Sequence, residues 1–325
     1  MMKKLWYGVM FLVLAVVLTA CGSEGSPSGE KPAASSGTQQ EQNEPQEIVV
    51  KHQLGETPVK KNPQKVVVFD FGVLDSLDKM GVEVTGVPQA NIPPYLEKYK
   101  DSKYVNVGSL QEPDFEKISE IGPDLIIISG RQSKAYDELK KIGPTIYMGV
   151  DTSRYMESFS ENMKILGQIF GKEDFVENEL KNLEQAIQRV KQKATESGKN
   201  ALIILTTGGK VSAFGPGSRF GLIHDVLGVK PVDDKIEVST HGMSISFEYI
   251  AEKDPDYLFV VDRDQVVNNG EKTPAEKVLD NDLIKNTKAY KNGKIVYLDP
   301  NYWYLSGGGF VSVAEMIKEV EQAFK

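Results

Sequence analysis

Five of the chain's 38 basic residues are arginines, at positions 131, 154, 189, 219 and 263; the rest are lysines. Arg131, Arg219 and Arg263 fall at or near the ends of apolar, strand-like runs, while Arg154 and Arg189 lie in a helical stretch where a solvated face explains them. Arginine presents a flat, permanently charged fork that suits oxyanions and stacks on aromatic rings. In open α/β sheets, ligands bind beyond the carboxyl ends of strands. Each of the three, taken alone, also fits a structural salt bridge. Together they predict a cleft that clamps an anion.

A repeat relates two of them. Residues 115–124 read FEKISEIGPD and residues 247–256 read FEYIAEKDPD. At one fixed offset Phe115 matches Phe247, Glu116 matches Glu248, Pro123-Asp124 matches Pro255-Asp256, and Arg131 matches Arg263. Each copy runs from an amphipathic helix through a Pro-Asp turn into an apolar strand. Two related lobes are therefore expected, each with an arginine near the end of a buried strand.

The elements that position these residues follow from hydrophobic patterning. Apolar runs at 66–70, 124–129 and 145–150 form one strand series, and runs at 201–206, 257–262 and 294–299 form a second. Helical patterns lie between them, so the expected fold is α/β: two Rossmann-like lobes with mainly parallel sheets and a ligand cleft between them. Residues 153–198 break this rhythm. Val176, Leu180, Leu183, Ile187 and Val190 step by four and three, the stripe of one long helix. Gly171 and Asp174 mark a break and a fresh start before it. This connecting helix is expected to act as a strut, so that the lobes move little on binding. The expected divisions are 48–152 for the N-terminal lobe, 153–198 for the connector and 199–325 for the C-terminal lobe, with 48–325 forming one domain.

The first 47 residues read differently. Lys3 and Lys4 precede an apolar run, Leu5 to Leu18, that is too short for a comfortable membrane span. It ends in Leu-Thr-Ala-Cys21, which resembles the bacterial lipoprotein box and implies a signal peptide over 1–20 and lipidation of Cys21. This is the chain's single cysteine, so disulfides and thiolate metal sites are excluded. Residues 21–47 are rich in Gly, Ser, Pro, Glu and Gln and read as a disordered tether.

Composition removes several classes. A net charge of −8 argues against nucleic acid. Three histidines, His52, His224 and His241, are too few and too scattered for a directly bound metal. Gly-rich TTGGK (206–210) lacks phosphate-loop spacing, and GSRFG (217–221) is not a hydrolase elbow. LSGGGF (305–310) precedes a helix and offers either a phosphate site or merely a tight helix start. No paired acid and base stand out, so no catalytic residues are expected and an enzyme is disfavoured.

The segment from VKHQLGETPVKKNPQKVVVFD (50–70) through both Pro-Asp units and the helical connector resembles the iron-siderophore and cobalamin class of solute-binding proteins that feed ABC importers. Within that class, EPDFEKI, PDLIIISGRQS, SAFGPGSRFGLIHDV, PDYLFVVDR and WYLSGGG are most similar to Gram-positive lipoproteins that bind catecholate siderophores of the petrobactin type. The resemblance implies a protein anchored by lipid at the outer face of the cell membrane. Its ligand would be a ferric siderophore, with no cofactor and with iron held only through the siderophore. Its partners would be an ABC permease dimer and the attached ATPase subunits. Haem or cobalamin is the alternative cargo on the same fold.

A ferric complex of catecholates is a bulky trianion with aromatic faces, which agrees with an arginine clamp. Trp303 is then a candidate to stack on a catechol ring, and His241 to donate to a phenolate oxygen. Tyr302 and Tyr304 flank Trp303, so the three cannot all face one way. Some relatives of this type carry a lysine where this chain has Gln111, which would remove one positive charge if that position lines the pocket. The resemblance also gives Glu116 and Glu248 a role: glutamates matching them dock into arginine pockets on the two permease subunits.

Overall fold

The computed structural model describes residues 46–267 and 273–325. Cys21, the expected signal peptide and the expected tether up to residue 45 lie outside the described residues. The strands in chain order are β1 (Glu47–His52), β2 (Gly55–Lys60), β3 (Val66–Val68), β4 (Gly86–Val87), β5 (Val105–Asn106), β6 (Leu125–Ile128), β7 (Thr145–Tyr147), β8 (Asn200–Thr207), β9 (Lys210–Phe214), β10 (Lys230–Pro231), β11 (Met243–Ile245), β12 (Tyr257–Asp262) and β13 (Ile295–Leu298). The helices are α1 (Phe71–Lys79), α2 (Phe115–Ile121), α3 (Tyr136–Ile142), α4 (Tyr155–Phe170), α5 (Glu173–Ser197), α6 (Phe247–Lys253), α7 (Ala275–Val278), α8 (Asp282–Lys285), α9 (Lys288–Lys291) and α10 (Phe310–Ala323).

After the β1–β2 hairpin, two sheets follow. The first has the order β5-β4-β3-β6-β7 and is parallel throughout. The second has the order β11-β9-β8-β12-β13, with β10 also on β8. Its β8, β10, β12 and β13 pair in parallel, and the β8–β9 hairpin supplies the antiparallel member. All six apolar runs picked out in the sequence contain strands. Those of β3, β6 and β12 are buried end to end, which is why they read as unbroken apolar runs rather than alternating ones. Short or half-exposed strands such as β4, β5 and β10 left no such signal. TTGGK forms the β8–β9 turn, with Thr207 paired to Lys210 across two glycines.

The repeat is a repeat of physical devices. Helices α2 and α6 each have seven residues. Asp114 caps the first by accepting from the Lys117 N–H, and Ser246 caps the second by accepting from the Tyr249 N–H. Each helix closes on a left-handed residue, Gly122 and Asp254. The aspartate of each Pro-Asp turn then ties down the start of the neighbouring strand. Asp124 Oδ2 accepts from the backbone of Gln64 and Lys65 ahead of β3, and Asp256 Oδ2 accepts from the Asn200 backbone at the start of β8.

Between the sheets the chain runs through α4, a left-handed Gly171, and α5. Helix α5 has 25 residues, about 37 Å at the usual rise. Val176, Leu183, Ile187 and Val190 of the expected stripe are buried, and Leu180 is partly so. The polar flank of α5 holds Lys193 against Glu321 of α10 at 2.9 Å and Glu179 against Lys79 of α1 at 2.5 Å.

The C-terminal helix is pinned to the N-terminal lobe by a buried carboxylate. Asp75 on α1 has 0% exposure. Its two oxygens accept from the backbone N–H groups of Val311 (3.1 Å) and Ser312 (3.0 Å), and the Tyr95 hydroxyl donates to it at 3.2 Å. Ser76 Oγ accepts from the Phe310 N–H at 3.0 Å. A helix start leaves its first N–H groups unpaired and carries partial positive charge, so an anion there satisfies both. LSGGGF is therefore the tight helix start, and the anion at that start is the protein's own Asp75. The approach requires glycine: a Cβ on Gly309 would stand 2.1 Å from Asp75 Oδ1, and one on Gly72 would stand 2.5 Å from the Ser306 carbonyl.

Burial pushes the Asp75 carboxyl up to about 7, against the opposing effect of its hydrogen bonds. An unfolded aspartate titrates near 4. Between about pH 4 and pH 7 the folded chain holds a proton that the unfolded chain has released. The contribution of this group is thus fully present below about pH 4 and is lost as the pH rises through about 7. Asp75→Asn should destabilise by about 1–3 kcal/mol at about pH 5, because its amide NH₂ faces N–H donors. The gap to wild type should shrink by about pH 8. Urea unfolding of both proteins at the two pH values measures it, and a gap that is the same at both would show that the carboxylate is ionised throughout.

Candidate functional site

Three chain segments bring the three arginines to one point. Arg131 lies in the turn Gly130–Ala135 that leaves the carboxyl end of β6. That turn is held by the Ser129 N–H donating to Gln132 Oε1 at 3.0 Å, and by Gln132 Nε2 donating to the Leu110 carbonyl. Arg219 follows β9 in the turn before Phe220. Arg263 stands at the carboxyl end of β12. All three are part-buried.

Their common point is Tyr304, in the turn Asn301–Leu305 that follows β13. Arg131 Nη2 donates to the Tyr304 carbonyl oxygen at 2.8 Å, and Arg219 Nη2 donates to the same oxygen at 2.5 Å. Arg263 Nε donates to the Tyr304 hydroxyl at 2.8 Å, and its Nη1 donates to Thr207 Oγ1 at 3.0 Å. The Arg219 guanidinium also lies over the Tyr304 ring, 4.1 Å from its centroid. Arg131 comes from the first sheet's segment and Arg219 from the second's, so one carbonyl joins both lobes.

Among the described residues this cluster has no counter-charge of its own. Among the described residues no carboxylate lies within ion-pair distance of Arg131, Arg219 or Arg263. Arg154, by contrast, pairs with Glu157 and Glu161 on an exposed face. Burial first, and then the neighbouring Arg131 and Arg263 charges, push the Arg219 guanidinium down to about 10. It remains a cation at neutral pH. Burial opposes ionisation of Tyr304, but the Arg263 hydrogen bond and the three guanidinium charges outweigh it and hold its phenol below the ordinary value. Among the described residues these three cations, in a half-dry place, have only neutral acceptors, so their charge is uncompensated.

Arg131, Arg219 and Tyr304 line a cleft of about 730 Å³, whose wall is completed by Asp70, Tyr147, Tyr155, Ser239 and Thr240 among others. Arg263 is not on that wall and meets the cleft through Tyr304. Trp303 contributes to the lining but has only 2% exposure. Its indole N–H donates to Glu319 Oε2 at 2.7 Å, and its ring meets Phe220 edge-on. The three aromatic residues fan apart: Tyr302 packs on Tyr95, Trp303 turns into the core, and Tyr304 faces the arginines. His241 is exposed, one residue beyond the lining residues Ser239 and Thr240. Gln111 is exposed in the turn Ser109–Glu112 and is not on the cleft wall. His52 bonds to Thr57 and His224 to the Val229 carbonyl, both away from the cleft.

Reading the sequence missed Tyr304, Asp70 and Tyr155. Asp70 closes the quoted run VVVFD, and an aspartate between a strand and a helix was the available signal. Tyr304 receives two of its three arginines through a main-chain carbonyl, which residue type does not encode. Glu116 and Glu248 are both exposed and are both the second residue of their helices, α2 and α6. A hydrogen bond from the Ser246 side chain lowers the pKa of Glu248.

The comparisons with known proteins agree with this architecture. The chain is 52% identical to the petrobactin-binding protein YclQ of Bacillus subtilis (strain 168), over all of both chains. The crystal structure of that protein superposes with a TM-score of 0.83, covering 86% of this chain and 99% of its own. The periplasmic catecholate-siderophore binding protein VctP from Vibrio cholerae superposes with a TM-score of 0.81 at 39% identity, covering 85% of this chain and 100% of its own. Residues 66–302, from the first strand of the first sheet to the turn that carries Tyr304, match the periplasmic binding protein family, and the chain belongs to that family.

Proposed function

We propose that this protein captures an anionic ferric catecholate siderophore in the cleft between its lobes and delivers it to an ABC-transporter permease for iron uptake. The observation that carries this reading is the convergence of three arginines, without a carboxylate partner among the described residues, on the carbonyl and hydroxyl of Tyr304. An incoming polyanion supplies the missing counter-charge. Arg131 and Arg219, on the cleft wall, then each contribute a charge-assisted hydrogen bond of roughly 1.5–3 kcal/mol, and Arg263 acts through the Tyr304 hydroxyl it holds. The relatives named above bind petrobactin and catecholate siderophores, which supports the same ligand class here. In this reading the protein holds a cargo and transforms nothing. Iron stays wrapped in its organic ligand.

Further proposals attach to residues at the rim or beyond the cleft. His241 lies beside the cleft and is proposed to donate to a phenolate oxygen of the bound ligand. Trp303 is proposed to report binding from just beneath the wall, since its buried ring is placed less for direct stacking than Tyr304 is. Glu116 and Glu248 are proposed to dock onto basic pockets of a permease dimer that carries its ATPase subunits. Their matched places on the repeated helices suit a partner with two equivalent subunits. Cys21 is proposed to carry the lipid that anchors the protein at the extracytoplasmic face of the membrane. The domain boundaries at 48–152, 153–198 and 199–325 are kept as the working division.

Three outcomes test this account. Fluorescence titration with a ferric catecholate should show that Arg131→Ala and Arg219→Ala each lose affinity by about 1.5–3 kcal/mol and that Arg263→Ala, acting through Tyr304, loses less, with lysine rescuing only in part because it lacks the fork. Unchanged affinity in all three would return these arginines to a structural role. In cells, the double replacement Glu116→Arg and Glu248→Arg should abolish uptake of labelled ferric catecholate while the purified variant still binds it. Normal uptake would make these glutamates ordinary surface charges. On membrane fractionation, Cys21→Ala should release the protein or leave it unprocessed; processed protein that stays on the membrane would refute the anchor.

A further inference from the structure

The cleft has a second wall with the opposite character. Asp70 lines it at the carboxyl end of β3, where it caps α1. One carboxylate oxygen, Oδ1, accepts from the Gly72 and Val73 N–H groups at 2.8 and 3.0 Å. Among the described residues, Oδ2 has no hydrogen-bond partner and no cation lies within ion-pair distance. The arginines of the same cleft are turned to the Tyr304 carbonyl and not to this carboxylate.

Two phenols stand beside it. Tyr147 lines the cleft, and burial, then the charges of Asp70 and Asp151, keep its proton on. Tyr155 also lines the cleft, with 6% exposure. Its hydroxyl is buried and has no hydrogen-bond partner among the described residues. A buried hydroxyl without a partner is costly, and it calls for a ligand group or water. Burial and the Asp70 and Asp75 charges raise its pKa, so it too stays neutral. The hydroxyl lies 3.8 Å from the place a Cβ on Gly307 would occupy, and Gly307 is itself on the cleft wall.

We infer that Asp70, Tyr147 and Tyr155 form a subsite for a protonated amine carried by the ligand outside its iron-chelating groups. A carboxylate oxygen and two neutral phenol oxygens are acceptors matched to an ammonium, which has only donors to offer. The cleft is then bipolar: arginines take the anionic chelate and this wall takes a cationic arm. The inference rests on the anionic-chelate reading above and adds to it a choice among chelates that differ only in their linkers.

The test uses calorimetric titration of the protein with two ferric bis-catecholates of equal linker length, one with a secondary amine in the linker and one with an ether oxygen at the same place. Wild type should prefer the amine complex by roughly tenfold to a hundredfold, the range of one charge-assisted hydrogen bond. Asp70→Asn should collapse that ratio toward one, and asparagine caps a helix as well as aspartate does, so α1 is retained. Tyr155→Phe removes only the partnerless hydroxyl; it should reduce the ratio several-fold without lowering the thermal midpoint. Equal affinity of wild type for both complexes, or an Asp70→Asn variant that keeps the full preference, overturns the subsite while leaving the arginine clamp standing. Failure of wild type to bind either complex overturns the clamp, and the subsite with it.

Discussion

The carboxylate of Asp75, buried against the first N–H groups of α10, is the contact from which the rest of the site follows. It belongs to α1 of the first lobe, and the N–H groups it holds belong to the chain's last helix. The turn that carries Tyr304 lies just upstream of α10, separated from it by three glycines whose lack of side chains permits the approach. Fixing the helix start fixes that turn between the lobes. Only there can a single carbonyl receive both Arg131 and Arg219. A buried carboxyl hydrogen-bonded to the helix terminus thus sets the geometry of an electrostatic feature nearby.

The two features are of opposite kinds. At Asp75 the charge and its donors are complete within the protein, and burial then makes ionisation expensive. At Arg131, Arg219 and Arg263 the compensation is incomplete, because the acceptors are a neutral carbonyl, a phenol and a threonine hydroxyl. A satisfied buried charge holds structure, whereas an unsatisfied cluster in a cleft is set up for a ligand. The long α5, packed along α10 and paired to α1, favours small relative motion of the lobes, since it contains no extended segment that absorbs a large dihedral change.

Much of this was legible in the residues. Strands buried on both faces wrote themselves as apolar runs, and the repeated FE-x-I-x-E and Pro-Asp pattern marked both lobes because each copy repeats the same cap, helix stop and strand tie. The scarcity of arginine against abundant lysine pointed to positions 131, 219 and 263. Other parts were hidden for physical reasons. The partner of two arginines is a main-chain carbonyl, which any residue supplies. Trp303 looked like a stacking surface, but the tight turn around it sends its ring into the core and its N–H to Glu319. Asp75 sits inside an ordinary helical pattern, and its main-chain partners Val311 and Ser312 lie more than 230 positions away in sequence.

The central claim is that the cleft retains an intact, negatively charged ferric catecholate. Native mass spectrometry of the protein mixed with a panel of ferric catecholate, ferric hydroxamate, haem and cobalamin reads this directly. The account predicts a one-to-one adduct with the mass of the whole ferric catecholate, kept in competition with the neutral hydroxamate complex. Selective retention of haem or cobalamin, or of the hydroxamate in place of the catecholate, would contradict it.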